Sequence, residues 1–250
     1  MNNAEFSTGH IYLTLDIDWA PDPVLIDTLE FLESRQWKAT WFATHETPFL
    51  DMLRNTGGHE IGIHPNFNPL LKGEQPGESV DTIVDRCLSI VPEATSVRSH
   101  SLTQSSQVIG LFSRKGVTHE VNTFIPYEAF PIQKPWADGD NLVRVPFGWA
   151  DDLYFSGEHS ILPGGLSDIK PLCVLCLHPI HIFMNTHSPG FYDVFKPNYH
   201  DAAALRIKRR PDSAPGVKRF LLDFLDQAKS RNLGGSLISS LSPGHSIARA

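Results

Sequence analysis

From His10 to Asp18 apolar and polar residues alternate. Ile11, Leu13, Leu15 and Ile17 fall on one face, and Tyr12, Thr14, Asp16 and Asp18 on the other. A period of two belongs to a β-strand, so the pattern predicts a strand with one greasy and one acidic face. Behind it, from Asp22 to Gln36, the period lengthens: Leu25, Leu29 and Leu32 follow a Pro-Asp-Pro start, as in an amphipathic helix. Strand followed by helix is the first β/α unit.

The alternation of units continues. Lys38 to Thr44 reads as a strand, Pro48 to Asn55 as a short helix and Gly58 to His64 as a third strand. Ser79 to Val91 carries Val80, Ile83, Val84, Cys87, Leu88 and Val91 in a helical stripe. Short strands at Thr95 to Ser99 and Gly116 to Val121 flank a helix from Ser105 to Arg114, and another strand runs from Leu142 to Phe147. Leu172 to Leu177 is apolar throughout, which suits a strand covered on both faces of a parallel sheet. A last helix spans Pro215 to Ser230, and Gly235 to Leu241 offers a final strand. The proline- and glycine-rich stretches 65–76, 125–140 and 185–201 read as loops. The pattern predicts an α/β fold, one domain over 1–250, with 242–250 as a loose tail.

Composition narrows the classes. A chain of 250 residues with 41% hydrophobic and 20% charged residues can bury a full core. The formal charge of −7 and a single short basic run, Arg206 to Arg210, argue against a nucleic-acid partner. The first ten residues have neither a basic start nor an apolar core, and no later stretch is long enough to span a bilayer. The expectation is a cytoplasmic protein with no stable membrane insertion. Cys173 and Cys176 form a C-x-x-C, yet inside a buried strand a spacing of three sends them to opposite faces; they read as two small core residues.

In a parallel barrel, reactive side chains gather at the carboxyl ends of strands. The polar residues there are Asp16, Asp18, His64, Arg98, His100 and His178. Two carboxylates two residues apart can share a cation or divide the roles of ligand and base. His64 shares its strand face with Glu60 and Gly62, so it points inward with the acids, whereas His59 does not.

Five segments then acquire a common meaning: Thr-Leu-Asp-Ile-Asp-Trp-Ala-Pro-Asp at 14–22, Lys-Ala-Thr-Trp-Phe-Ala-Thr at 38–44, Gly-His-Glu-Ile-Gly-Ile-His-Pro at 58–65, Val-Arg-Ser-His-Ser at 97–101 and Leu-Cys-Leu-His-Pro at 175–179. In order and spacing they resemble the polysaccharide deacetylase (NodB-homology, carbohydrate esterase family 4-like) superfamily. The resemblance implies a distorted (β/α)7 barrel that removes acetyl groups from N-acetylated sugars with one divalent metal ion, usually Zn2+. It implies Asp16 as catalytic base, Asp18 and His64 as metal ligands and Arg98 as the partner of the base. Leu177 and His178 correspond to the leucine–histidine element whose histidine is the general acid.

Two departures stand out. Ile17 separates aspartates that are adjacent in the family, which leaves the division of base and ligand between them open. Asn68 occupies the place of the second metal histidine, and an amide oxygen is the weaker zinc ligand. The third ligand is therefore Asn68 or a recruited His45, His100 or His181, or else the site prefers a harder ion. His100, Trp149, Leu177 and Asp151 or Asp152 are the expected substrate contacts. The substrate implied is a carbohydrate of a bacterial surface polysaccharide or its precursor. Hydrolysis of another C–N amide, or glycan binding without catalysis, are the alternatives.

Overall fold

The computed structural model describes residues 10–139, 141–157 and 172–242. The first strands and helices follow the hydrophobic pattern: β1 His10–Asp16, α1 Asp22–Glu33, β2 Ala39–Ala43, α2 Pro48–Thr56 and β3 Glu60–Ile63. After them come α3 Asn68–Leu71, α4 Val80–Ile90, β4 Ser96–Val97, α5 Ser106–Arg114 and β5 His119–Phe124. The rest comprises β6 Trp136–Asp138, β7 Leu142–Phe147, β8 Trp149–Ala150, α6 Asp151–Ser156 and β9 Leu172–Leu177. Four helices close the fold: α7 Pro179–Met184, α8 Pro189–Phe195, α9 Ala202–Lys208 and α10 Val217–Ser230.

The strands lie in the order β6-β7-β5-β4-β3-β2-β1-β9-β8, parallel throughout apart from the β6–β7 pair. Only Gly148 separates β7 from β8, and the run they form bridges the two ends of the curl. Phe147 pairs beside Phe124 of β5, and Ala150 pairs beside Cys176 of β9. With β6 set aside as a hairpin arm, seven strand positions circle the core, in keeping with a distorted (β/α)7 barrel. At the seam the chain must be glycine, because a Cβ on Gly148 would lie 2.5 Å from the buried Tyr127 ring.

Two apolar clusters follow from strand alternation. Tyr12, Phe42, Val121, Val145, Phe147, Val174 and Cys176 fill the barrel interior. Ile11, Leu13, Leu15 and Ile17 face outward against the helices, where α1, α7 and α10 pack. At the amino ends of the strands the barrel is plugged by the segment after α10. Ile238 N donates to Thr40 Oγ1 (3.1 Å) and Ser239 N to Glu60 Oε2 (3.0 Å).

Several expectations need correction. The expected strand at Gly235–Leu241 is a single bridge, Ile11 to Gly235, followed by a 3-10 turn at Ile238–Ser240. The inward-facing Thr40 and Glu60 draw its amides away from a sheet edge. The three expected loops hold structure: α3 within 65–76, β6 within 125–140 and α8 within 185–201. Elements of three to seven residues are too short to display a period. The expected tail lies largely outside the described residues. No helix among the described residues is long and apolar enough to cross a membrane.

Candidate active site

The carboxyl ends of the strands open into a cleft of about 430 Å³, and the route by which each side chain reaches it begins in the backbone. Asp16 ends β1 on the inward face and is 4% exposed. Asp18 and Trp19 then adopt left-handed conformations (φ 38° and 54°), which carry Asp18 over the mouth of the barrel. The loop after β4 repeats the device at Ser101 and Leu102 (φ 56° and 54°). Non-glycine residues held this way cost on the order of 1–3 kcal/mol each and concentrate at functional sites. His64 follows β3 directly, its amide donating to Ala43 O at 2.8 Å so that the ladder fixes its direction.

Asp18, His64 and His100 converge. Asp18 Oδ1 lies 3.3 Å from His64 Nε2 and 3.2 Å from His100 Nδ1, and the three donor atoms lie within 4.8 Å of one another. Zinc bonds of about 2.0–2.1 Å at tetrahedral angles set neighbouring donors about 3.3 Å apart, so the spacing and the two-imidazole, one-carboxylate chemistry both fit a divalent ion. His64 Nδ1 is buried without a hydrogen-bond partner among the described residues and lies 3.6 Å from Asp16 Oδ1. A carboxylate behind a ligating imidazole is a common support of such sites. Burial alone would raise the Asp18 pKa, but hydrogen bonds from His100 and His64 and the charge of His178 outweigh it and hold the carboxyl far below its usual range.

Asn68 is elsewhere engaged: its Nδ2 donates to Ser101 Oγ at 2.9 Å. Neither of the other two alternatives joins the cluster. His45 pairs with Thr44 Oγ1 (2.7 Å), and the buried His181 pairs with Thr186 Oγ1 (3.1 Å) among aromatic rings.

Arg98 is wholly buried in the barrel axis. Its guanidinium donates to Asp16 Oδ1 (3.0 Å), Thr14 Oγ1 (2.6 Å), Val121 O (3.1 Å) and Cys176 Sγ (3.3 Å), and it lies between the rings of Phe42 and Phe147. Burial would lower the arginine pKa, but Asp16, together with Cys176 and Glu120, outweighs it. Asp16, Cys176 and His178 form a second convergent donor group. With a guanidinium already against two of its members, repulsion disfavours a cation there, and proton transfer is the chemistry the group suits.

His178 caps the carboxyl end of β9. Asp151, fully buried at the start of α6, accepts from the His178 amide and pairs with its Nδ1, both at 2.7 Å. That leaves Nε2 facing Asp16 (3.9 Å) and Asp18 (3.7 Å) across the cleft. Burial would lower the imidazole pKa, but Asp151, with Asp18 and Asp16 beyond it, holds it well above the ordinary histidine value.

Of the expected substrate contacts, His100 and Asp152 line the cleft. Asp151 instead orients His178. Trp149 and Leu177 point to the helix side of the sheet, where Trp149 stacks on Phe220 with ring centroids 4.6 Å apart. For Trp149 the cause is a change of parity at Gly148: Val145 and Phe147 face inward, and beyond the glycine it is Ala150, not Trp149, that does so. A slip of one residue exchanges the faces of a strand.

Cys176, by contrast, faces the cleft, while Cys173 lies on the opposite face. The signal for this was the spacing of three within the strand. Burial pushes the Cys173 thiol up to about 12, the Cys87 thiol up to about 11 and Cys176 well above its ordinary value. Because the thiolate is the reactive form, Ellman's reagent at about pH 8 should leave all three thiols unmodified in the native protein and titrate all of them in denaturant. Rapid native modification of Cys176 would contradict the geometry.

Comparison with known proteins agrees with this architecture. A family profile described as WbmS-like polysaccharide deacetylase matches residues 13–196. A Bordetella bronchiseptica structure, described as a polysaccharide deacetylase involved in O-antigen biosynthesis, shares 37% identity. The match covers 88% of this chain and 90% of that one, with a TM-score of 0.81. A polysaccharide deacetylase structure from Mycobacterium smegmatis is 16% identical over 98% of this chain and 97% of that one (TM-score 0.48). A 4-alpha-glucanotransferase from Thermococcus litoralis shares the fold alone, with 11% identity over 94% of this chain and 41% of that one (TM-score 0.56). No curated protein matches significantly. The profile spans most of the barrel and the Bordetella relative nearly the whole chain, and on both grounds the chain belongs to the WbmS-like polysaccharide deacetylase family.

Proposed function

We propose that this protein is a metal-dependent hydrolase that removes an acetyl group from an N-acetylated sugar of a bacterial surface polysaccharide or its precursor. The observation that carries this reading is the convergence of two groups in one cleft: the Asp18, His64 and His100 donors and, beside them, the Asp16 and His178 acid–base pair. Asp18, His64 and His100 would hold the divalent ion, which when bound supplies a Lewis acid for the amide carbonyl. Asp16, oriented by Arg98, accepts the proton of the attacking water. His178, kept protonated by Asp151, delivers a proton to the leaving nitrogen. The description of the Bordetella relative supports a surface-polysaccharide substrate.

The reading is tested by metal analysis of the purified protein beside Asp18→Ala and His64→Ala, with acetate release from N-acetylated sugars measured on the same samples. Wild type is expected to hold about one divalent ion per chain and to release acetate, and both variants to lose ion and activity. A wild type that neither binds an ion nor releases acetate with any added metal would leave glycan binding without catalysis as the better account.

The His178–Asp151 pair makes a second expectation. A raised pKa keeps the acid form of His178 populated to higher pH, so activity should fall on the alkaline side as that proton is lost. Removing the charge in Asp151→Asn should shift this alkaline limb of kcat/KM downward by about 1–3 pH units, the usual effect of a neighbouring opposite charge. An unmoved limb would assign it to another group.

A further inference from the structure

The order of strands around the barrel divides the cleft into two chemically distinct halves. β9, β1 and β3 supply His178, the two aspartates and His64. The opposite arc, running from the loop after β4 through β5, β7, β8 and α6, supplies the polar His100, Ser101 and Asp152 and, alongside them, five apolar side chains, Leu102, Phe124, Phe147, Ala150 and Leu153. These five side chains continue the interior core, and Leu102, Phe124 and Leu153 carry it partly into solvent. Leu102 does so from a left-handed backbone (φ 54°), an outlier for a bulky residue. An apolar surface left open beside a reactive centre implies an apolar occupant. The cleft as a whole, catalytic groups included, measures about 430 Å³, room for more than the single methyl of an acetyl group.

A second groove of about 360 Å³ shares Asp18 and His100 with the cleft and is otherwise lined by Trp19, Tyr192, Lys196, Tyr199 and His200. Phenolic, cationic and indole groups suit a polyhydroxylated ring better than an aliphatic wall does. The two arms of an N-acyl sugar thus have different destinations from one amide carbon.

We propose that the apolar half of the cleft is an acyl-chain pocket that accepts amides several carbons longer than acetyl, with the sugar lying in the Trp19 groove. The proposal rests on the amide-hydrolysis reading above and specifies its substrate class. In the reaction, water oxygen bonds to the acyl carbon, the C–N bond breaks, the amine leaves with a proton from His178, and the longer carboxylate is released.

Two measurements test this separately from the deacylase reading. The first is turnover of N-acetyl-, N-propionyl-, N-butyryl- and N-hexanoylglucosamine by the metal-loaded full chain. The second is calorimetric affinity of wild type for the non-hydrolysable N-methyl- to N-butylsulfonylglucosamines. Burying each methylene should raise both kcat/KM and affinity by about fourfold until the pocket is full. Leu153→Trp should move the preferred chain length shorter and Leu153→Ala longer, changes in ratio that a loss of folding would not produce. Acetyl turnover with falling rates for longer chains would overturn the pocket and leave the deacetylase standing. Without turnover, sulfonamide affinity still decides: a rise with chain length supports the pocket, and a flat or falling series overturns it.

Discussion

His100→Ala is expected to weaken metal binding by more than about 100-fold, because even residues that merely support a ligand are worth about 10–100-fold. The same change at Asn68 should cost no more than about tenfold, since among the described residues its side chain bonds to Ser101 and not to Asp18, His64 or His100. The contrast arises from geometry: His100 Nδ1 lies 3.2 Å from Asp18 Oδ1, beside the His64 ring. Competition with a chromogenic chelator, together with the visible spectrum of the cobalt-loaded protein, would read both variants. Acetate release should follow the same order. If Asn68→Ala emptied the site and His100→Ala did not, the third donor would be the amide.

Arg98→Met should lower stability by about 3–5 kcal/mol, the usual consequence of removing one partner of a buried ion pair. At roughly 2–4 °C per kcal/mol for a chain of this size, the melting temperature would drop by about 6–20 °C. The loss exceeds that of a single contact because Asp16, Thr14 and Val121 O all lose their donor at once. Arg98→Lys should recover only a small part of it, since a point charge cannot satisfy three directions that a planar fork does. Activity should fall with either substitution, because Asp16 loses the guanidinium fork that orients it toward the cleft. Thermal and urea unfolding followed by circular dichroism would measure the change, and a loss under about 1 kcal/mol would mean that the site relaxes around the missing cation.

Much of the site could be read in one dimension. Alternation along 10–18 placed Asp16 inward, the parity of Glu60, Gly62 and His64 aimed the histidine with it, and the apolar run 172–177 led to His178. These are local facts, and a strand's period of two carries them without knowledge of neighbours. Trp149 and Leu177, two expected substrate contacts that face the helices, differ in how legible they were. Leu177 belongs to the outward set of β9, with Cys173 and Leu175, and that parity was available from the sequence. Trp149 follows a glycine whose parity break serves barrel closure around Tyr127, a contact between segments far apart in the chain. Short elements such as α3, α8 and β8 carried too few residues to show any period.

What the sequence determined by itself was therefore most of the longer strands and helices, their inward faces, and the chemistry at the strand ends, because periodicity and residue type are properties of a single segment. Only the tertiary structure decided which groups meet. It brought His100 to Asp18 and His64, turned Asn68 to Ser101, set Asp151 behind His178 and gathered Leu102, Phe124, Phe147, Ala150 and Leu153 along one arc of the cleft. Those pairings depend on strand order, register and left-handed turns at the barrel mouth, which no segment encodes alone.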